Sequence, residues 1–221
     1  MKGTSAIILL AGSGSRMKMN KNKILLEINS RPVYSYSINT FHKFTDEVIC
    51  VVKDSEYDYF KANLPSFCKI AIGGATRGES VLNGLKMASY DYVMIHDGAR
   101  PFISGEVINN ILTNIPKNEA ALCYLNVKDT IKENRGSSLN TLNRANLIAA
   151  VTPQCAPRAI LLDSYLRGIN EGLEFTDDMS LIEAYHKECK INLVLANEEV
   201  FKLTTSLDYE LAKVIGGKFN D

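Results

Sequence analysis

Six short apolar or β-branched runs recur along the chain: SAIILL (5–10), EVICVV (47–52), KIAI (69–72), YVMIH (92–96), AALCYL (120–125) and INLVLA (191–196). They are continuously apolar rather than alternating, as strands buried on both faces are. Between several of them the apolar spacing switches to that of a helix. Val33, Tyr36, Ile38 and Phe41 form one stripe, and Val81, Leu82, Leu85 and Ala88 form another. Strands alternating with helices predict an α/β fold, a mostly parallel twisted sheet with helices on both faces. In such sheets a ligand sits at the carboxyl ends of the strands, so the residues just after each run are where chemistry is expected.

The length of 221 residues suits a single domain over 1–221. One region breaks the rhythm. Between about 128 and 146, DTIKENRGSSLNTLNR reads as two strand-like pieces around the turn cluster NRGSS. That predicts a protruding hairpin arm, and a second subunit is the economical surface for it to pack on. Lys plus Arg and Asp plus Glu both total 25, so no global field draws the chain to nucleic acid or an anionic membrane. Five cysteines with no CxxC pair fit a reducing cytoplasm better than a disulfide framework or a zinc site. The apolar part of the N-terminus is short and followed by basic residues, unlike a secretion signal. No apolar run approaches the ~20 residues that span a bilayer, so a soluble, cytoplasmic protein is expected.

The first run empties into AGSGSRMKMNKNK (11–23), small residues followed by cations. Backbone N–H groups there have few Cβ atoms in the way and can turn toward one anion. Arg16 adds a planar bidentate donor and Lys23 a compact charge. The loop is a phosphate cradle in outline, and an ordinary turn followed by a solvated basic face is the equal alternative. It is neither standard fingerprint, since a dinucleotide loop needs a third glycine where Met17 stands and a P-loop needs GK[ST].

Later segments add to the first reading. GGATRGES (73–80) places a glycine pair before a second helix start, with Arg77 and Ser80. HDGARP (96–101) puts Asp97 at a strand end, where a hard cation bridging phosphates needs a carboxylate. His96 reads as a packed structural residue, because no Ser or Cys partner is suggested. TDD (176–178) reads as a helix N-terminus capped by Thr176. VFKLTT (200–205) reads as a short strand with Lys202 and Thr204 on one face, a cation that needs an anionic partner. The chain closes on a helix that Ser206 would cap and Gly216 would end.

In order, GSGSRM, Lys23, GGATRGESV, HDGARP, DTIK, NRANL, TPQ, TDDMS and KLTT resemble the motifs of the 2-C-methyl-D-erythritol 4-phosphate cytidylyltransferases, over nearly the whole chain. The resemblance implies a Rossmann-like nucleotidyltransferase fold. It implies transfer of a cytidylyl group from CTP to a polyol phosphate with Mg2+, and a homodimer that exchanges its arms. Leu10, Ala11, Gly12, Ser13, Gly14, Gly73, Gly74, Ser80, Asp97 and Gly98 would bind CTP. Arg16, Lys23 and Lys202 would act in catalysis. Asp97, Arg100, Thr130, Arg144, Thr152 and Lys202 would hold the acceptor, Thr130 and Arg144 reaching the neighbouring subunit's site. Asp97 would be the metal ligand.

Some positions depart from the family. Asn22 stands where Pro usually precedes the loop lysine, which predicts a more mobile loop. Leu9 and Leu10 stand where Ala or Pro is usual, Ala75 where an acid often sits, and Val200 where Asn is common. A same-fold enzyme acting on D-ribitol 5-phosphate and a non-catalytic nucleotide-binding paralogue are the alternatives; a dinucleotide-dependent oxidoreductase fails on the missing glycine.

Overall fold

The computed structural model describes residues 3–12 and 22–219, without the side chain of residue 219. Its first strand, β1 (Thr4–Leu9), leads through the short pair β2 (Glu27–Ile28) and β3 (Arg31–Pro32) into helix α1 (Val33–His42). Next come β4 (Glu47–Val52), α2 (Tyr57–Asn63), β5 (Cys68–Ile72), α3 (Arg77–Met87), β6 (Tyr92–Asp97), α4 (Gly105–Asn114) and β7 (Ala120–Asn126). The hairpin β8 (Lys132–Asn134) and β9 (Leu139–Thr141) precedes β10 (Ile148–Pro157), α5 (Arg158–Asn170), α6 (Met179–Tyr185), β11 (Ile191–Leu195) and α7 (Ser206–Gly216).

Seven strands form one sheet in the order β11-β7-β10-β6-β1-β4-β5. The six runs anticipated from sequence are six of these strands, and their pairings are parallel wherever they meet one another. Ile7 is flanked by Ile49 on one side and Ile95 on the other, so hydrogen bonds and apolar side chains fix the same register. Alternate residues of each strand then feed two cores. Ile8, Cys50 and Met94 pack with Phe41 of α1, Phe60 of α2 and Ile108 of α4, while Ile7, Ile49 and Ile95 pack with Leu85 of α3, Leu161 of α5 and Ile182 of α6. Helices thus cover both faces, as the alternation of elements requires.

The seventh strand is β10, antiparallel to both β6 and β7 and inserted between them. Its ladder shifts register between Ala150 and Gln154, the stretch that contains Pro153. A proline is tolerated inside a sheet at such an irregularity, and its presence hides the strand from a reading of apolar runs.

Two other expectations change. Residues 201–205 form no strand; Leu203 N–H makes a lone bond to the carbonyl of Ala99, and Thr204 and Thr205 are taken up by Asp208. That capture also moves the helix boundary, because Thr205 and Asp208 form a reciprocal capping box, so Thr205 and not Ser206 is the cap, and the helix runs through Gly216 to a cap at Gly217. The arm is present as a hairpin, with Lys132 opposite Thr141 and Asn134 opposite Leu139, and its turn contains Gly136 at φ +79, the left-handed region that glycine enters freely.

Candidate active site

The carboxyl ends of β1, β4 and β6 and the start of α3 enclose a cleft of about 540 Å³. Ala11, Gly12, Lys23, Gly74, Asp97 and Lys202 are among the residues that line it. These come from distant parts of the sequence, and the sheet gathers them because its parallel strands β1, β4 and β6 end on this edge.

Asp97 is the centre of the charged floor. Its Oδ2 lies 2.7 Å from Lys202 Nζ and 3.6 Å from Arg100 Nε, and its Oδ1 lies 4.0 Å from Arg77 Nε. Burial by itself would raise the carboxyl pKa, but Lys202, then Arg77 and Arg100, outweigh it and hold the group at about 2. The expected anionic partner of Lys202 is therefore Asp97, although an irregular segment and not a strand delivers the lysine.

The backbone under Asp97 is held by a relay. Asp97 N–H donates to Thr152 Oγ1 at 3.1 Å, Thr152 Oγ1 lies 3.1 Å from His96 Nδ1, and His96 Nε2 lies 2.9 Å from the carbonyl of Arg100. A carbonyl only accepts, so Nε2 carries the proton, Nδ1 is bare, and the threonine hydroxyl donates to it. His96 is fully buried and its pKa is lowered to about 4, burial being the main cause. A neutral, doubly bonded ring fits the structural role expected for it. Thr152, also buried, spends its hydroxyl on this relay, and Arg100 donates to the carbonyl of Val200 at 2.9 Å; neither lines the cleft.

Arg77 was anticipated as a helix-start cation, and the structure gives it a second task. Its guanidinium grips Asp178 with two hydrogen bonds of 2.7 and 3.1 Å. Asp178 is fully buried and also accepts from the Tyr165 hydroxyl. Burial would lower the Arg77 pKa, but Asp178 raises it overall. Hence Asp178, at the start of α6, is the ion partner of Arg77. The cap position of α6 is Asp178 and not Thr176, and Asp177 Oδ1 accepts from Ser180 N–H of the first turn at 3.1 Å. Gln154 Oε1 accepts from both Asp178 and Met179 N–H, tying α6 to β10. Sequence reasoning missed this network because its partners lie up to 101 residues apart.

The start of α3 faces the cleft, and the turn before it spends three of its N–H groups internally. Gly74 N–H donates to Ser80 Oγ at 3.1 Å, and Ala75 and Thr76 N–H donate to Glu79 Oε2 at 2.6 and 3.1 Å. A Cβ on Gly74 would sit 2.3 Å from that of Glu79, so only glycine lets the turn close. Gly73 N–H bonds the carbonyl of Val52, and Gly98 N–H bonds that of Leu9, where a Cβ would meet Leu10 at 2.3 Å. Leu10 is buried and bonds Val51.

Lys23 sits on a 3-10 turn, Lys23–Leu25, and its Nζ donates to the carbonyl of Leu203 at 2.6 Å, beside Lys202. Ser13, Gly14 and Arg16 lie outside the described residues. Lys53, at the end of β4, also lines the cleft and was not anticipated. The loop that Asn22 was expected to make more mobile lies, from residue 13 to 21, outside the described residues, and Asn22 itself is well held. It is 8% exposed, and its side chain bonds Leu10, Ile24 and Glu56.

Thr130 and Arg144 lie on the arm, exposed and outside the cleft; Arg144 Nη1 donates to the carbonyl of Lys128 at 2.6 Å. Near the root of the arm, Ile148, Leu193 and Leu195 are 38, 55 and 54% exposed. Cross-strand pairing sets Leu195 and Ala150 beside Tyr124, so these apolar groups share one uncovered sheet face.

A family model described as 2-C-methyl-D-erythritol 4-phosphate cytidylyltransferase matches residues 4–217. A relative of that name from Clostridium acetobutylicum is 36% identical over 221 residues, covering 95% of this chain and 96% of its own. One from Clostridium tetani is 37% identical, covering 98% and 91%. Among solved structures, 4-diphosphocytidyl-2C-methyl-D-erythritol synthase from Anaerococcus prevotii superposes with a TM-score of 0.86 at 28% identity, over 98% of this chain and 99% of that one. The 2-C-methyl-D-erythritol 4-phosphate cytidylyltransferase from Thermus thermophilus gives 0.81 at 27%, over 98% and 100%.

Proposed function

The chain belongs to the 2-C-methyl-D-erythritol 4-phosphate cytidylyltransferase family, and from that premise we propose that it transfers the cytidylyl group of CTP to 2-C-methyl-D-erythritol 4-phosphate, releasing pyrophosphate, in isoprenoid precursor synthesis. The observation that carries the reading is the cleft wall. Among the described lining residues, Lys23, Lys53, Arg77 and Lys202 surround one carboxylate, Asp97, an excess of positive charge on a chain whose formal net charge is zero. Such a cavity attracts a polyanion locally, without a global field.

The acceptor's phosphate oxygen, ionised at neutral pH, attacks the α-phosphorus in line, and the bond to the β-phosphate oxygen breaks as pyrophosphate leaves. The protein aligns the reactants and stabilises charge that grows on the α-phosphoryl oxygens. Lys23 and Arg16 serve this directly, while Lys202, held by Asp97, orients the attacking phosphate. Neutral His96 supplies no base, and none is needed. The backbone of Leu10 to Gly14 and the Gly73–Gly74 turn hold the nucleoside, with Ser80 and Gly98 fixing the shape of that wall.

Asp97 is the residue that would hold Mg2+. One carboxylate at a cleft wall fits an ion that keeps several waters and takes its other ligands from substrate phosphates, and Asp97 stays ionised throughout the neutral range. The ion would neutralise phosphate charge.

The arm contributes Thr130 and Arg144 to the acceptor site of a second copy, making a homodimer. The exposed hairpin and the uncovered apolar sheet face at its root support that reading. Five unpaired cysteines, and the absence among the described residues of any helix long and apolar enough to cross a membrane, support a cytoplasmic location.

The test is pyrophosphate release from CTP and Mg2+ with each of two acceptors. Turnover with 2-C-methyl-D-erythritol 4-phosphate well above that with D-ribitol 5-phosphate is expected. The reverse preference would reassign the acceptor, and CTP binding without turnover on either would overturn the enzyme assignment.

A further inference from the structure

Asn22 joins three pieces of the cleft wall through one side chain. Its amide nitrogen donates to the carbonyl of Leu10, at the end of β1, at 3.4 Å. The same nitrogen lies 3.2 and 3.0 Å from the two carboxylate oxygens of Glu56, which follows β4. Both neighbours only accept, so the orientation of the amide is fixed by them and its two protons are used. Its oxygen accepts from Ile24 N–H at 3.5 Å. Asn22 O in turn accepts from Leu25 N–H at 2.9 Å, closing the turn that carries Lys23.

Lys23 is therefore bracketed. Before it, Asn22 is clamped to the end of β1 and to the turn after β4; after it, Ile24 is 3% exposed and packed in the core. All three line the cleft, and Lys23 brings the charge among them. A cation that stabilises a transition state gains from being held in place before reaction, since misplacement of about 1 Å can cost ~100-fold in rate. The backbone shape held here is specific. Asn22 has φ −60 and ψ 121, an extended conformation with the φ that a proline ring imposes.

We propose that Asn22, anchored by Glu56, is a positioning residue for the transfer step: its hydrogen bonds lock the backbone that aims Lys23 at the reacting phosphates. This rests on the role given to Lys23 above. Two consequences separate it from simple support of the fold. The effect of losing the amide should fall on turnover more than on CTP binding, because the aim of Lys23 matters most as charge develops. And a residue that restores the same φ without any side-chain amide should rescue it.

The experiment compares Asn22→Ala, Asn22→Pro and Glu56→Ala with the wild type, by steady-state kinetics and by hydrogen exchange at the amides of Leu25 and Leu26. Asn22→Ala should lower kcat about tenfold, with the KM for CTP changed less than about threefold, and should speed exchange at both amides. Asn22→Pro should recover most of the lost kcat and slow the exchange again. Glu56→Ala should resemble Asn22→Ala, and the double variant should be no worse than the poorer single, as expected for one shared interaction. Unchanged kcat in Asn22→Ala, or Asn22→Pro as poor as Asn22→Ala, overturns the proposal. If the wild type itself has no transferase activity, it is the assignment of function that fails, and unchanged exchange in Asn22→Ala then overturns the positioning claim by itself.

Discussion

Asp97, His96, Thr152, Arg77 and Asp178 find their partners within one chain, and all but the partly exposed Arg77 are buried or nearly so, whereas Thr130 and Arg144 stand on a hairpin whose bonds stay almost entirely within the arm. The floor of the cleft is finished by folding. A two-stranded hairpin with no core of its own is marginal in water, so the arm gains definition only when something covers it. The contrast divides the labour of the proposed reaction. Charges that must be held tightly are built into the sheet edge, and contacts to the acceptor are left to a part that a second copy completes.

Substitutions at the two regions should therefore fail differently. Lys23→Ala should lower kcat by about 1000-fold, the scale seen when a preorganised group facing transition-state charge is lost. Arg144→Ala should lower kcat/KM for the acceptor by about 100-fold while leaving the unfolding free energy within about 0.5 kcal/mol of wild type, because the side chain is exposed. Kinetics combined with denaturant unfolding checks both, and a large loss of stability in Arg144→Ala would break the contrast.

A smaller effect sharpens the description of the floor. His96 has a folded pKa of about 4 against an ordinary value of 6.5. The unfolded chain takes up its proton first as pH falls, so this residue contributes nothing unfavourable at neutral pH and destabilises the fold progressively between about 6.5 and 4. Its share of the lost stability from pH 6.5 to 4.5 should be about 2 kcal/mol. An NMR titration placing the ring's midpoint near 4 supports the buried relay; a midpoint near 6.5 would mean that the relay is open to water.

The same division decides how much could be read from the sequence. The six parallel strands were legible because burial on both faces leaves continuous apolar runs, and the arm was legible from its turn residues around Gly136. β10 was not, since Pro153 interrupts the pattern at a register shift that only the neighbouring strands reveal. Lys202 was found by its need for an anion, but residues 201–205 looked like a strand because β-branched neighbours mark extended backbone whether or not a ladder forms. The pairing of Arg77 with Asp178 had no local sign at all. At Asn22, hydrogen bonds to Leu10 and Glu56 accompany the φ that a proline would fix covalently, and nothing in the sequence shows them.

The division of labour is tested most directly by mixing. Lys23→Ala and Arg144→Ala proteins, each nearly inactive, are unfolded together, refolded and assayed for pyrophosphate release. If one subunit's arm completes the other's cleft, half of the dimers are mixed, each has one intact site, and about a quarter of wild-type activity returns. Activity no higher than the sum of the two variants alone would contradict a shared site and place the whole reaction within one chain.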